Sequence, residues 1–522
     1  MSESIGKRAI RFLSSPFILL EISMITAYIA YMCFRLHQVF YTIGFSSFDI
    51  SVFHQGIWLM STFHQPFVTI RGLHLFADHS TFINMLFIPA YWVYPSHLTL
   101  LYGETIALGC SAFLIYLIAK KQLGSELWGV FLSAIFLMYP ALHYLNIFQY
   151  HPVVFSVPFI LLFWIAYLYD KANLGLLATI LLVLVQEEVI VVLIGFSFYL
   201  FFFKKWKPAK SFFFIGIVSL VLAVFVIMPF FIHSASYQYT GRTLGSLTAT
   251  LTGRMDVGHF IWGKFATLTN LDYLFRLFGP LSFLPLINPL PMILNPMLWV
   301  NLVSDWPYQH FIDYHYSAIV IGTVFISLIS AISFLIDVSK KRRLGKYVPA
   351  ALFVILLVGS VASNSIDHPF FRYKGILDPW ISINHEYISE IDSIRDAVKD
   401  DSVATSLGPL KFLANRVDIY RWPNPFRKFE YGTENSEYKF SRYPKYVILS
   451  KGDIGDWPDA FRLLAPHDYS IVKQDRYLIM FQQKEPFFAM SNDLFGSARY
   501  LPFGACYECI ESRRPLTILD KK

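Results

Sequence analysis

Four apolar stretches of the sequence have about the length that a helix needs to cross a lipid bilayer. Such a helix takes roughly 17 to 25 predominantly apolar residues. The chain is 55% hydrophobic and only 15% charged, a composition well outside that of ordinary soluble domains. The sequence therefore predicts a polytopic α-helical membrane protein. The four stretches cover residues 17–34, 211–232, 316–336 and 347–362.

The lysine and arginine residues are grouped in short clusters between the apolar stretches. The formal net charge is +7, but the clusters form no single basic face, so no nucleic-acid partner is predicted. Positive residues favour the cytoplasmic side of a membrane, and the number of crossings between two such clusters is then even. The clusters are Lys7, Arg8 and Arg11; Lys120 and Lys121; Lys171; Lys204, Lys205, Lys207 and Lys210; and Lys340, Lys341, Arg342, Arg343 and Lys346.

This parity predicts about 11 transmembrane helices. The interval 173–203 is expected to hold two short passes that turn at the sequence QEEV, and the proline-broken stretch 277–304 to hold two short or bent helices. The amino end is then cytoplasmic and the carboxyl end extracytoplasmic, in a multi-pass protein of the plasma membrane. The remaining crossings are predicted near 17–36, 97–119, 126–143, 152–169, 211–232, 316–338 and 347–363.

The chain becomes more charged after about residue 364, and its apolar stretches shorten. We therefore predict a transmembrane domain at 1–363 and an extracytoplasmic α/β domain at 364–522, which acts as a cap or acceptor platform. Cys506 and Cys509 form a CxxC pair, which indicates a local disulfide or two free thiols. Strands are predicted at 402–406, 416–420, 446–450, 469–473 and 476–482, and helices near 386–399 and 457–465.

Three segments on the outer side carry most of the polar residues of the membrane domain. The loop 37–96 mixes His and Asp with aromatic residues and is predicted to lie on the membrane as amphipathic helices. The loop 233–271 contains Gly, Ser and Thr, as a mobile loop does. The segment 306–318 and the sequence NIFQYHP at 146–152 are expected to lie close together. Polar groups that converge at one membrane face, beneath a loop that can close over them, suit the binding of an amphiphilic substrate.

Several short motifs together resemble the GT-C superfamily of membrane glycosyltransferases. The chain more closely resembles an uncharacterised family of multi-span proteins linked to that fold. This resemblance implies a GT-C-like membrane domain and transfer of a sugar from a polyprenyl-phosphate or polyprenyl-diphosphate carrier on the extracytoplasmic side, with Asp49 as base. The motifs are FDISVFHQGIW (48–58), HSTFINMLFIPAYWVYP (79–95), FQYHP (148–152), NPLPMILNPMLWVNLVS (288–304) with HYSA (315–318), and ATSLGPLKFLANRVDIYRWPNP (404–425) with YVILS (446–450).

Asp49 has two interpretations from the residues alone. It follows Ser-Ser-Phe and precedes apolar residues at helical spacing, a pattern that favours a helix N-cap. A carboxylate at the water–membrane boundary can instead accept the proton of an acceptor hydroxyl during attack on an anomeric carbon. One base is sufficient because a phosphate leaving group needs no protonation, unlike the alkoxide that two-carboxylate glycosidases expel. We predict Asp49 as the catalytic base.

The leaving phosphate needs positive charge, and arginine supplies it through two parallel donors. Arg242 and Arg276 are predicted to bind substrate in this way, with solvated loop arginines as the alternative. His79 is predicted to contact the same phosphate, or else to be an interfacial histidine beside Asp78.

Glu104 is an acid in the outer part of a predicted transmembrane helix. A group in this position faces a cavity or a partner, so it is predicted to bind substrate, with a structural hydrogen bond as the alternative. Glu187 and Glu188 are expected to form a solvated turn. The predicted substrate-binding set is completed by His151, His310 and His315. Binding of a divalent metal by the His and Asp residues of 310–315 together with Asp49 is a further alternative. No ligand spacing defines such a site, so no metal ligand is assigned.

Transport is the second class of function that the sequence allows. In a transporter or flippase of a lipid-linked amphiphile, the broken stretch 277–304 would form a site at the bilayer midplane. We find no internal repeats, and intramembrane charge is concentrated toward one face, which favours a one-sided enzyme. A non-catalytic scaffold is a third class. The predicted partners are a lipid-linked sugar donor, membrane lipids and an acceptor that the sequence does not identify.

Overall fold

The computed structural model describes most of the chain as two compact units. The first unit falls within residues 1–38, 76–86 and 98–381, and the second within 39–75, 87–97 and 382–522. The side chains of residues 240–242 and 457–458 lie outside the description, as do Cys506 and Cys509. The described residues are 15–42, 47–232, 240–341, 345, 347–369, 383–432, 443–451 and 457–484.

Five helices in the described part of the chain are long and apolar enough to cross a membrane. A bent pair, Glu126–Leu137 and Pro140–Ile147, forms a sixth candidate with an angle of 49° between its halves. The bend coincides with Pro140, whose missing N–H and bulky ring interrupt helical hydrogen bonding. The five long helices are Pro16–Phe40, His97–Leu123, Ala209–Ile232, His315–Lys341 and Tyr347–Asp367.

Shorter helices complete the described part of the chain. Short 3₁₀ turns at Phe82–Phe87 and Pro152–Phe155 precede two of them. The shorter helices are Phe48–Ser61, Leu75–Asp78, Ile88–Val93, Ser156–Leu168, Ala172–Val185, Glu187–Phe202, Thr240–Leu251, Val257–Phe260, Leu268–Phe278, Leu290–Ile293, Pro296–Val303, His385–Val398, Leu407–Leu413 and Trp457–Leu464.

The two regions predicted to hold pairs of short helices have different structures. Residues 173–203 form helices Ala172–Val185 and Glu187–Phe202 with a break at Gln186, the first residue of the predicted QEEV turn. Two membrane passes in this region stay a prediction. Helices Leu290–Ile293 and Pro296–Val303 have only 4 and 8 residues, or about 6 and 12 Å of length. A bilayer core is about 30 Å thick. Neither of these two helices is therefore long enough to cross a membrane.

The first unit is built around the amino-terminal half of helix Ala318–Lys341. Every residue of 318–332 is buried, because this helix packs against Ser156–Leu168 and the turn Leu284–Ile287. Gly322 permits the close approach: a Cβ atom there would lie 3.1 Å from Ile160 Cγ2. The side-chain amide of Asn295 donates to the carbonyl of Ile319 at 2.9 Å and fixes the preceding turn to the same helix.

The second unit contains a five-stranded sheet whose strands match the predicted ones closely. The strands of the unit are β1 Phe67–Val68, β2 Leu73–His74, β3 Val403–Thr405, β4 Ile419–Arg421, β5 Tyr446–Ser450, β6 Tyr469–Gln474 and β7 Leu478–Gln483. In the sheet, β3 pairs in parallel with β4 and β5, whereas β7 pairs antiparallel with β5 and β6, giving the order β4-β3-β5-β7-β6. A small antiparallel pair, β1–β2, lies earlier in the chain.

Residues of the first loop belong to the same compact unit as this sheet. The amide nitrogen of Gln55 donates to the carbonyls of Arg416 and Val417 at 3.2 and 3.0 Å. The hydroxyl of Thr69 donates to the carbonyl of Ile419 at 2.7 Å. These bonds hold helix Phe48–Ser61 against the segment before β4, and the segment after that helix against β4 itself. The compact units therefore divide the chain differently from the predicted boundary between residues 363 and 364. That boundary separates a membrane domain from an extracytoplasmic domain, and it stays a prediction.

Candidate functional site

His79 and Glu187 form an ion pair in the first unit, in which the carboxylate is buried and the imidazole is partly exposed. The imidazole Nδ1 lies 2.6 Å from the Glu187 Oε1 atom. The other carboxylate oxygen accepts hydrogen bonds from the backbone N–H and the hydroxyl of Ser80, at 3.1 and 3.3 Å. Glu187 is 2% exposed, so the expectation that it lies in a solvated turn is wrong. Three donors from one loop compensate for the burial of its charge.

The helix that begins at Glu187 explains why an acid is favoured there. Glu187 is the first residue of helix Glu187–Phe202, where the unpaired N–H groups and the helix dipole attract negative charge. Gln186 is extended and interrupts the preceding helix, and its side-chain amide donates to Glu188 Oε2 at 2.9 Å. The local sequence therefore places two carboxylates at the helix start, and the loop carrying His79 supplies the cation for the first.

The ion pair shifts the pKa values of both partners. Burial lowers the pKa of His79, but the adjacent carboxylate outweighs this effect and raises it to about 9. Burial raises the pKa of Glu187, but His79 and the hydrogen bonds from Ser80 overcome it and hold the pKa below its usual value. The pair is therefore imidazolium and carboxylate at neutral pH.

Two further contacts in the same unit, one of them from the loop that carries His79, are grouped here with the ion pair as a polar cluster. The hydroxyl of Tyr150 donates to Asn84 Oδ1 at 2.7 Å, while the amide nitrogen of Asn84 is buried with no hydrogen-bond partner among the described residues. The rings of His151 and His315 stack at a centroid distance of 3.7 Å, as their predicted proximity requires. The cluster consists of His79, Ser80, Asn84, Tyr150, His151, Glu187 and His315.

The histidines of this polar cluster differ in charge. Burial lowers the pKa of His151 to about 4, and the positive charge of His79 adds to this effect. His151 is therefore neutral at the pH at which His79 is cationic. A cationic imidazole beside a neutral one suits recognition of an anion by charge together with a second, uncharged hydrogen-bonding group.

Arg276 lies in a separate buried ion-pair cluster. Its Nε atom donates to Asp367 Oδ2 at 2.6 Å and its Nη2 atom to Oδ1 at 3.0 Å. Its Nη1 atom donates to Asp313 Oδ2 at 2.5 Å, and the guanidinium lies over the ring of Tyr144 at 5.3 Å. Both edges of the guanidinium thus contact carboxylates of the protein itself. Binding of a substrate phosphate by Arg276 stays a prediction.

His310 connects two parts of the first unit. Its Nδ1 atom lies 2.6 Å from Asn270 Oδ1, and its Nε2 atom lies 2.9 Å from the carbonyl oxygen of Ser304. These contacts fix the segment after helix Pro296–Val303, and the predicted substrate-binding role of His310 stays a prediction. The predicted candidate Arg242 has its side chain outside the described part of the chain.

Asp49 belongs to the second unit and stands in the first turn of helix Phe48–Ser61. The N-cap residue of that helix is Ser47, not Asp49, which corrects the capping interpretation. The hydroxyl of Ser47 donates to the carbonyl of Leu407 at 2.6 Å. Asp49 is half-buried, and its charge is favourable at a helix start. Its role as base stays a prediction.

A second pair of stacked histidines follows Asp49 in the same unit. The rings of His54 and His97 stack at 3.8 Å, His54 Nδ1 lies 2.8 Å from the hydroxyl of Tyr91, and its Nε2 atom contacts Asn415 Oδ1. Burial lowers the pKa of His54 to about 4. His54 lies in the motif FDISVFHQGIW, but His97 lies in no motif and is 43 residues further along the chain, so no local pattern indicates that the two rings stack.

Acidic and metal-binding side chains are otherwise dispersed. No three His, Cys, Asp or Glu side chains in the described residues are arranged to hold a metal ion. Glu104 is fully buried on helix His97–Leu123, and its predicted role in substrate binding stays a prediction.

The apolar helices together with a buried polar cluster in the loops between them define a helical membrane protein. The chain belongs to the family described as "Predicted membrane protein (DUF2079)", whose profile matches residues 39–475. The matched region includes every member of the polar cluster as well as Asp49. Among curated proteins, no match to the chain is found.

Proposed function

We propose that the protein transfers a sugar from a polyprenyl-phosphate-linked donor to an acceptor on the extracytoplasmic face of the membrane. The observation that carries this proposal is the polar cluster around His79 and Glu187, buried among apolar helices. Its imidazolium, and the unpaired amide donor of Asn84, favour a phosphate group attached to a lipid. The resemblance to GT-C enzymes motivates the sugar.

The chemistry needs one base and one stabilised leaving group. Asp49 serves as general base, accepting the proton of the acceptor hydroxyl while its oxygen forms the new bond to the anomeric carbon. The bond from that carbon to the phosphate oxygen breaks, and the lipid phosphate leaves as an anion. From the sequence, the phosphate is assigned to His79, whose imidazole Glu187 keeps protonated within the first unit. No metal ligand is assigned in this scheme.

The side of the membrane follows from the origin of the polar cluster. Its members come from four segments, at 79–84, 150–151, 187 and 315, and the parity of the basic clusters predicts all four on the outer face. Their contacts within one unit support this shared side. Because neither short helix of 277–304 is long enough to cross, the predicted count falls from 11 to 9. Both counts are odd, so the termini stay on opposite sides.

A transporter of a lipid-linked amphiphile is the second candidate function. The observation that favours it is the broken backbone of 279–303, which consists of 3₁₀ turns and two short helices. Discontinuous helices of this kind form midplane substrate sites in transporters. The polar cluster still favours the transferase, because its charged residues lie where loops meet helices, on the one predicted membrane face, as a one-sided enzyme requires.

The experiment that tests the proposal follows labelled sugar on a polyprenyl-phosphate carrier with purified full-length protein in detergent. Loss of label from the lipid and its gain by an acceptor fraction are expected, and Glu187→Gln should reduce both. The same protein in vesicles should not move the intact donor between leaflets. Movement of the intact donor without sugar release, across several sugars and carriers, would contradict transfer and support transport.

A further inference from the structure

Glu104 is a carboxyl group buried on membrane helix His97–Leu123 without a stabilising partner. It is fully buried, and neither carboxyl oxygen has a hydrogen-bond partner in the described part of the chain. The backbone amide of His151 lies near the carboxyl group but does not reach hydrogen-bond geometry. No described lysine or arginine pairs with it. Apart from this nearby backbone amide, nothing described around Glu104 therefore compensates for a negative charge.

The polar groups around Glu104 bond to one another instead. The hydroxyl of Thr105 donates to Asn146 Oδ1 at 2.8 Å, and the amide of Asn146 donates to the hydroxyl of Tyr28 at 3.0 Å. The hydroxyl of Tyr28 is close enough to interact electrostatically with the Glu104 carboxyl. The Thr105 hydroxyl and the Asn146 amide therefore donate to groups other than the Glu104 carboxyl. The titratable groups that face this region are Tyr28, Cys33, His143 and His151.

The choice of ligand for this carboxyl follows from its surroundings. Burying an ionised carboxylate without donors costs far more free energy than burying the neutral acid. A metal ion would need several further ligands, and the described residues contain no group of three suitable side chains. We propose that Glu104 is a membrane-embedded proton-binding site, whose carboxyl group carries a proton in the resting protein. The site stands on burial and missing partners alone, so it does not depend on sugar transfer.

Reaction with dicyclohexylcarbodiimide tests this assignment. The O–H of a protonated carboxyl adds across one C=N bond of the reagent: the oxygen bonds to the central carbon and the proton moves to nitrogen. Rearrangement then gives a stable N-acylurea without loss of any atom. An exposed glutamate is protonated in only roughly one molecule in several hundred at neutral pH, so it reacts little. Mass spectrometry of the digested protein locates the adduct.

The expected result is an adduct at Glu104 at neutral pH, at least about tenfold more abundant than the adduct at Glu126. Glu126 is a matched control because it starts the next helix, is partly exposed and pairs with Lys120. Glu21, buried and bonded to Ser133 at 2.5 Å, reports whether the reagent reaches buried membrane carboxyls. The Glu104→Gln variant should lack the Glu104 adduct and keep the others.

Infrared difference spectra supply a readout that needs no reagent access. The wild-type protein should show the C=O stretch of a protonated carboxylic acid at neutral pH, and Glu104→Gln should lose that band. If Glu104→Gln instead lost the bands of an ionised carboxylate, the proposal would be overturned. It would also be overturned if the carbodiimide labelled Glu21 but not Glu104. Protection of Glu104 by sodium ions at constant pH would also overturn it, in favour of a cation site.

Discussion

The Nδ1 atom of His79 lies 2.6 Å from the Oε1 atom of Glu187, and this contact joins two segments that are 108 residues apart in sequence. It links the loop after Asp78 to the start of helix Glu187–Phe202. Because the carboxylate is almost completely buried, the pair fixes both the shape of the loop and the charge of the imidazole.

Removing either partner of this pair should lower stability. His79→Gln and Glu187→Gln keep the approximate size of the side chain but remove its charge. We expect each to cost roughly 1–3 kcal/mol, less than for a fully buried pair because a quarter of the His79 side chain is exposed. The double variant should cost less than the sum of the two single variants. Thermal unfolding in detergent measures this, and strictly additive losses would contradict the coupling.

The same pair predicts a dependence of stability on pH. The pKa of His79 is raised from 6.5 to about 9, so its contribution is complete below pH 6.5 and is lost as pH rises through about 9. The unfolding midpoint should therefore fall across this interval. His79→Gln should remove this part of the decline. An identical decline in wild type and variant would show that another group is responsible.

Arg276 should stabilise the protein strongly, whether or not it contacts substrate. Arg276→Gln leaves Asp313 and Asp367 as neighbouring, largely buried carboxylates, at an expected cost of about 3 kcal/mol. Addition of Asp367→Asn should recover part of the loss. The exposed Arg254→Gln is the control and should change the unfolding free energy by less than about 0.5 kcal/mol. Normal stability of Arg276→Gln would contradict a structural ion pair.

The predicted topology is testable with single cysteines in a variant that lacks the four native ones. Cysteines at Lys207 and Lys341 should resist a membrane-impermeant thiol reagent in intact cells, whereas cysteines at Thr252 and Asp396 should react. All four positions are exposed in their own units, so burial does not explain protection. Labelling at Lys207 and Lys341 with protection at Thr252 would reverse the orientation and exclude an outer site.

Local features of the fold were predictable from the sequence. The strand at 446–450 is predicted and observed at the same residues, because a short apolar, β-branched segment between polar ones has few alternatives. The break at Gln186 was expected from a charged turn between two apolar runs. Long apolar helices such as His97–Leu123 follow directly from hydropathy. Each of these features depends on neighbouring residues only.

The partners of the candidate residues were not predictable in this way. Glu187 looked like a solvated turn residue because its cation, His79, is distant in sequence. Arg276 looked like a free loop arginine because Asp313 and Asp367 come from separate segments. The proline-rich stretch 277–304 has enough apolar residues for two crossings, but its helices are stopped within 4 and 8 residues. Tertiary packing decides each case, and no local pattern records it.

The most direct test of the account compares sugar transfer by wild type and Asp49→Asn. Asn removes the proton acceptor but keeps size, and loss of the charge from the first helical turn costs only about 0.3–1 kcal/mol. Asp256→Asn is the matched control, since Asp256 caps an exposed helix by accepting from the N–H of His259 at 2.9 Å. We predict a loss of transfer of about a hundredfold or more for Asp49→Asn, with normal folding and with normal activity of the control. Transfer by Asp49→Asn at the wild-type rate would contradict the assignment of Asp49 as the base.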